Sequence, residues 1–471
     1  MVRWCGILSV AASLLGASRL VADDVSFVRD IAPLLVRHCI GCHGPNKAEG
    51  DLRLHTFEYV LNAGASGVAA VAPGRPDDSE LLRRLIDGDE STRMPQQDDA
   101  IPAQEVERVR RWIAAGARFD GQDPKISIKS QLPPRQHPAA PRAYSSAPPV
   151  QVVVFSRDGD ELLVGGHYEV TAWAPATGQL VRRFGGLPQR TMALAVHPAE
   201  PMLIVGGGVP GEYGELTVVD LRASEAPRAL ATFDDLVLGV AVNRAGSQIV
   251  AVSADRSVRC FAWPSGKLQW QSQLHSDVVT CVAFSQDDRF VVTGSHDFTL
   301  KVLVAEDGQL FTTYNGHQRQ FGEEKGRFAI ESLAASTSGP RLFSGGEGRS
   351  VRVWEAEKAQ AENGSASDME ERFSKAGHTR YAYHNAHHAA LRLVVNDTHL
   401  WVATGDGTIR QFDLATLEPV RDYAGHQDWV LAVDLHAGTK RLASGAFDGE
   451  VRVWNIESGE PVTRFLAAPG Q

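Results

Sequence analysis

The sequence predicts a multidomain chain: a small all-α domain, then an all-β region of seven repeated units. Three observations predict it. Apolar residues recur at helical spacing between residues 23 and 120. A proline-rich stretch, 121–147, interrupts that pattern and reads as a semi-extended linker. From residue 148 onward short strand-like runs return at intervals of about 40–50 residues. A length of 471 residues fits two or three domains.

Residues 1–22 read as an export signal. Arg3 gives a positive start, "WCGILSVAASLLGA" an apolar core, and Ala17, Ser18 and Ala22 small residues for cleavage. The run is short for a membrane span. The expectation is an exported protein of the periplasm or cell envelope, with no transmembrane span once the signal is removed. The net charge of −10 argues against nucleic acid as a partner. Cys5 would leave with the signal. Cys260 and Cys281 sit in apolar runs ("SVRCFAW", "VVTCVAFS") and read as buried free thiols.

In the helical region, "VSFVRDIAPLLVRH" puts Phe27, Ile31, Leu34 and Leu35 on one face. "DDSELLRRLI" reads as a second helix capped by Asp77 or Asp78. "PAQEVERVRRWIAAGA" reads as a third, with Val106, Val109, Trp112 and Ile113 as its stripe and Gly116 as its stop.

Two of the five cysteines fall in "RHCIGCHGPN". On a helical turn Cys39, Cys42 and His43 project from one side. Two thiols can then bond to the vinyl groups of one haem while the imidazole reaches its iron, the logic of C-x-x-C-H attachment. A thioredoxin-like pair would need a βαβ context, and a zinc site two further ligands; neither is visible. Met94 is the one methionine of the region once the signal is gone, and lies in the loop "STRMPQQ". Its thioether would complete His/Met ligation, which suits electron transfer. His55 is the rival ligand. Trp112 fits either packing on the haem side or the ordinary core.

Residues 26–120 resemble the planctomycete-type cytochrome c domain, through "FVRDIAPLLVRHCIGCHGPNKAEGDLRLHT", "APGRPDDSELLRRL", "RMP" and "VRRWIAAGA" in that order. The resemblance implies a small helical cytochrome c with one covalent haem c, His43 proximal and Met94 distal. The chain departs from it at "MPQQ" and at "NAGASGVAAVAPG".

The β-rich repeats turn at "ATGQL", "PSGKL", "EDGQL" and "ESGEP", with weaker copies at "ASEAP", "EAEKAQ" and "ATLEP". In the last unit His426, Ser444, Asp448 and Trp454 stand where a hydrogen-bond network would tie loop to strands. Asp448 would hold the tight turn. Residues 150–466 resemble the WD-repeat β-propeller family, which implies seven blades. Leu303, Phe412 and Ala262 depart from it where other units carry tryptophan. The last unit is expected to be built from one stretch of chain, with "ISIKS" (126–130) the sole candidate for an exchanged strand.

Together these readings describe an exported c-type cytochrome that moves single electrons, an electron-transfer protein rather than a catalyst, with a propeller as interaction scaffold. The alternatives are a redox enzyme subunit with a second cofactor in the propeller, and a haem-based sensor. An unidentified redox protein is the expected partner. A second protein partner is expected on the propeller face bearing loops 318–328 and 379–388, where Arg319, Phe321, Arg327, Tyr381 and Tyr383 are interface-type residues. His384, His387 and His388 read as polar surface. The insert 359–372 would lie on the opposite face.

Overall fold

The computed structural model describes residues 25–45, 47–96, 99–121, 123–132, 135–223, 225–315, 317, 328–348, 350–356, 381–383 and 388–470. The chain forms two compact units, divided between Pro134 and Arg135.

The first unit is helical. A π-helical turn, Phe27–Ile31, runs into α1 (Ala32–His38); α2 (Phe57–Val60), α3 (Glu80–Leu85) and α4 (Ala103–Ala114) follow. Hydroxyls start two of these turns: Ser26 Oγ accepts the Arg29 N–H at 3.0 Å, and Thr56 Oγ1 the Tyr59 N–H at 3.3 Å. Gly116, at φ +99°, stops α4 in a conformation that suits glycine. Phe27, Ile31, Leu34 and Leu35 are buried as their spacing predicts, together with Val109, Trp112 and Ile113 of α4. Asp77 and Asp78 do not cap α3. They lie in a preceding 3-10 turn, Pro76–Asp78. Ser79 precedes the helix, and its buried hydroxyl instead accepts from Ala72 N (2.9 Å) and donates to Arg75 O (3.0 Å).

The stretch expected to be a linker is used by both units. Ile128 is fully buried in the helical core, its N–H bonded to His55 O at 2.9 Å. Ser127 bridges to Thr56, so 126–130 contributes no strand to the last sheet. Residues 135–147 lie along the second unit. The Arg135 guanidinium sits 3.9 Å over the Tyr213 ring, His137 Nε2 meets Glu215 Oε1 at 3.2 Å, and the Tyr144 hydroxyl donates to Glu169 Oε1 at 2.7 Å. Arg183 donates to the same Glu169 carboxylate and to the carbonyls of Pro141 and Arg142. Glu169 and Glu215 are only 0% and 2% exposed, so the polar partners that reach them are what make their burial tolerable. Proline content alone suggested a spacer; partners distant in sequence fix the segment instead.

The second unit is antiparallel β-sheet. Five sheets have four strands each, within 237–272, 279–314, 330–383, 390–424 and 430–466. A seven-stranded sheet covers 153–233, because Leu180–Val196 is one long strand serving two neighbours. Its 180–185 part pairs with His167–Trp173 and its 190–196 part with Met202–Val209. The described residues thus form seven groups of four strands. The first strands of the groups pack side by side in chain order, and the first strand of the last group, Val430–His436, packs back on Val153–Phe155.

Among the described residues that seam is held without strand exchange. Val150, Val153, Phe155 and Trp173 share one apolar cluster with Ala432, Ala443, Val451 and Val453. Trp173 stacks on Phe465 at 4.6 Å, Val150 N–H donates to Ala446 O at 3.0 Å, and Phe155 N–H donates to Asp434 Oδ2 at 2.7 Å.

The expected network of the last group is present. Ser444 Oγ meets His426 Nε2 at 2.7 Å and accepts from Trp454 Nε1 at 2.9 Å, while Asp448 holds the turn through the Glu450 N–H. Ser344 plays the same part between His317 (2.8 Å) and Trp354 (3.3 Å). Burial pushes His426 down to about 4 and His317 down to about 3, so both rings are neutral near pH 7. A further copy escaped the sequence reading because no glycine precedes its histidine: His275 meets Asp297 Oδ2 and Thr293 Oγ1, each at 2.9 Å. Cys260 and Cys281 are buried free thiols, each pushed up to about 12 by burial.

Burial pushes the Asp434 carboxyl up to about 6, despite the Phe155 N–H bonded to it. A raised folded-state value means stability is fully present below the unfolded carboxyl value near 4 and declines as pH rises through about 6. Asp434→Asn keeps an acceptor for Phe155 and removes the charge. Thermal melts from pH 4 to 8 should show the variant gaining on the native protein with rising pH, by about 2 kcal/mol at pH 8. Parallel profiles would refute the assignment.

Candidate functional site

The chemistry-bearing residues of the first unit converge on one cavity of about 700 Å³. Its wall is assembled from four stretches. The first is the turn after α1. The helix proper ends at His38, and Cys39–His43 continues as a single turn closed by the His43 N–H to Cys39 O at 2.9 Å. The motif therefore lies on a turn past the helix, not within it, but the i to i+4 bond preserves the spacing. His38, Cys39, Cys42 and His43 all line the cavity.

The second stretch is 49–54, tied to the turn by Glu49 N–H to Cys42 O (3.1 Å) and Leu54 N–H to His43 O (2.7 Å). It contributes Leu52 and Leu54. The third is 64–70, whose small residues Gly64, Ala65, Ser66 and Ala70 form wall with Val68. Ala65 N–H donates to Gly50 O at 2.7 Å, so two backbones run in near contact. The fourth is α3 with the loop after it, which supplies Leu81, Arg84, Leu85, Met94, Pro95 and Gln96.

The structure thus brings together Cys39, Cys42, His43 and Met94, the four residues chosen from the sequence. Cys39 is buried and Cys42 exposed, and neither is in a disulfide. Burial, with Cys42 nearby, pushes the Cys39 thiol up to about 12, so the protein does not hold it as a thiolate. His43 Nδ1 is buried with no hydrogen-bond partner among the described residues.

His55 does not line the cavity; it packs 5.0 Å from Tyr59. Its imidazole is held below the usual range by burial and by Arg53. Trp112 is a core residue, 1% exposed, packed 5.5 Å from Phe27 with its indole N–H on Arg118 O. It does not line the cavity either. The sequence reading missed the 64–70 wall and Arg84. For the wall, a run of small residues too poor in large apolar side chains to be core was the available signal. Arg84 gave none, because its contacts depend on the fold of the following loop.

A donor set of two thiols, one imidazole and one thioether, within apolar walls of Leu52, Leu54, Val68, Leu81 and Leu85, fits a flat macrocyclic metal cofactor better than a hydrated cation. The volume lies in the range of small-molecule sites, roughly 300–1,000 Å³. Among the described residues, no group of three or more histidine, cysteine, aspartate or glutamate residues could hold a bare metal ion.

Residues 39–98 match the family model Planctomycete cytochrome C, a span that contains Cys39, Cys42, His43 and Met94. Residues 266–302, 308–355 and 417–455 match the WD domain, G-beta repeat model. The chain joins a planctomycete-type cytochrome c segment to a WD-repeat region. Among curated proteins it is similar to Nuclear distribution protein nudF of Aspergillus niger, 26% identical over 197 residues, covering 41% of this chain and 39% of that protein. Apoptotic protease-activating factor 1 of Rattus norvegicus is 19% identical over 45% of this chain and 15% of its own length. Protein tipD of Dictyostelium discoideum is 22% identical over 64% of this chain and 45% of its own. The chain spans less than half the length of each of these relatives.

The close approach at Gly64 gives a test of the wall. A Cβ there would stand 2.7 Å from Gly50 O and 3.0 Å from Leu52 Cβ, so backbone would have to move. Gly64→Ala should cost about 1–3 kcal/mol, visible as a lower melting temperature of the helical unit. An unchanged melt would show that this contact relaxes freely.

Proposed function

We propose that the cavity holds one haem c, joined through Cys39 and Cys42, with His43 as proximal and Met94 as distal ligand to its iron, and that the protein carries single electrons. The observation that supports this most is the convergence of a C-x-x-C-H turn and a methionine from a distant loop on one apolar-walled cavity. When bound, a haem supplies one-electron exchange at its iron. The chain's own residues set the conditions for it. The two cysteines would tether the group, the His43 imidazole would offer a ring nitrogen, and the Met94 thioether is a soft ligand of the kind that raises the potential. Leu52, Leu54, Leu81 and Leu85 would give the group an apolar wall.

The seven groups of strands are read as a seven-bladed WD-repeat propeller that serves as a scaffold for protein partners. In-order packing of the first strands, the return of the last onto the first, and the matched repeats support this. The partner face is assigned to loops 318–328 and 379–388. Both fall outside the described residues except at 328, 381–383 and 388. The signal-like residues 1–22, also outside the described residues, support export to the periplasm or cell envelope. No helix among the described residues is long and apolar enough to cross a membrane.

Protein matured with a c-type haem assembly system should carry one covalent haem by mass spectrometry and show a single low-spin c-type spectrum. The Cys39→Ala/Cys42→Ala variant should lose its haem to acid-acetone extraction. Retention there sinks the attachment, and bands from a second cofactor favour an enzyme.

Met94→Ala should abolish the weak near-infrared sulfur-to-iron band and lower the reduction potential, read by optical redox titration. An unchanged spectrum would place the distal ligand elsewhere.

A further inference from the structure

We propose that Arg84 is the positioning residue for Met94, clamping the methionine loop to helix α3 from two sides. This inference rests on the haem reading above. The loop 87–96 is braced internally. Asp89 Oδ1 accepts from Ser91 N (2.9 Å) and Ser91 Oγ (2.8 Å), Asp89 O accepts from Thr92 N (3.0 Å) and Arg93 N (2.8 Å), and Gln96 Nε2 donates to Ser91 O (3.0 Å). Those bonds fix the shape of the loop but not its place on the helix.

Its place is fixed by Arg84. The Arg84 carbonyl accepts the Met94 N–H at 3.0 Å, and the Arg84 guanidinium donates through Nη1 to Thr92 O at 3.2 Å. Among the described residues, the hydrogen bonds joining 89–96 to α3 both come from Arg84. They grip the main chain on either side of Arg93, so they set the point from which the Met94 side chain departs. The guanidinium is itself aimed: Glu80 Oε1, one turn back, accepts from Arg84 Nε at 2.9 Å. Glu80 keeps only 12% of its side chain exposed and is also held by Arg83, at 2.6 and 2.8 Å. Arg84, Leu81 and Leu85 line the same cavity, so one short helix supplies both its apolar wall and the clamp.

A distal methionine is in equilibrium between bound and released forms, and anything that fixes its backbone raises the bound fraction. The Glu80–Arg84–Thr92 chain does this through charge-assisted bonds, which are the stronger kind. The clamp reaches the iron only through Met94.

The test uses the full-length haem-loaded protein and three variants. Arg84→Met keeps the apolar stem and removes the donors. Arg84→Lys keeps the charge but cannot reach Glu80 and Thr92 O in a fork. Arg83→Met removes a second partner of Glu80 whose contact with the loop is one 4.0 Å ion pair to Asp87 and which makes no hydrogen bond to 89–96. Two readouts are followed: loss of the near-infrared sulfur-to-iron band with rising pH, and the rate at which carbon monoxide binds the reduced protein. Arg84→Met should shift the released fraction and the carbon monoxide rate about tenfold upward. Arg84→Lys should recover part of that shift, and Arg83→Met should leave both readouts near the native values. Covalent haem content should be equal in all four proteins.

If the native protein shows the band and Arg84→Met matches it in both readouts, the clamp is wrong although the haem reading stands. Equal shifts in Arg83→Met and Arg84→Met would also overturn it, since helix stability would then explain both. A native protein without the band overturns the distal-ligand reading, and the clamp falls with it. Should Arg84→Met fail to mature, the lysine variant carries the same comparison: native behaviour there refutes the clamp, an intermediate shift supports it.

Discussion

The second unit depends on its seam. A series of four-stranded sheets made in chain order has to bring its first strand to its last, and among the described residues no strand crosses over to do it. Packing and a few aimed hydrogen bonds carry the join: the Val150–Trp173 cluster against Ala432–Val453, Trp173 on Phe465, and Phe155 on Asp434. Solenoid repeats associate in the same way, through interfaces between neighbours. The difference is that here one interface must form between residues about as far apart in sequence as the unit allows. The strand-to-strand contacts within each sheet are local and form cheaply, whereas this one is a long-range closure.

Residues 135–147 bear on the same problem. They run across the first two groups of strands and contact the end of the chain, where the Tyr144 N–H meets Pro469 O at 3.2 Å. The partners they choose are telling. Five groups carry a cation in the third strand, at Arg259, Lys301, Arg352, Arg410 and Arg452, where the first two carry Thr171 and Thr217. In those two groups a buried glutamate stands two residues earlier, at Glu169 and Glu215, and the segment delivers Tyr144 and His137 to them. A buried carboxylate without partners would be costly. The first two groups are therefore adapted to being covered, while in later groups Arg410 and Arg452 pair with Asp406 and Glu450 of their own repeats.

How much of this was legible follows from the range of each interaction. The haem-type motif was legible because all its geometry is local: Cys39, Cys42 and His43 keep their relation whether the turn is inside a helix or just beyond one. That Met94 shares the cavity of the motif was expected by elimination, as the one methionine of a mature helical region. The Phe27–Leu35 and Val109–Ile113 faces followed from period alone. The rest needed contacts that no spacing encodes. Proline content hid the burial of Ile128 and the docking of Tyr144. The network of His275 was hidden by the lack of a preceding glycine, although Thr293 and Asp297 stand where Ser444 and Asp448 do in the last group. Arg84 looked like any arginine on the polar side of a short helix until the loop beyond it folded back.

The cavity shows why such residues matter more than their exposure suggests. Cys39, Cys42 and His43 share one hydrogen-bonded turn, so their mutual geometry is set by a few backbone bonds. Met94 comes from a loop outside any helix, and loops open more readily than the elements they join. A site built from one hydrogen-bonded turn and one loop is only as well defined as the anchoring of the loop. The interactions that anchor the loop, and not those that shape the motif, then decide how closely the Met94 thioether is held to the cavity it shares with His43. Under the proposed haem reading, control of the site would then rest with Glu80, Arg84 and the carbonyl of Thr92, none of which has any chemistry of its own to offer a metal.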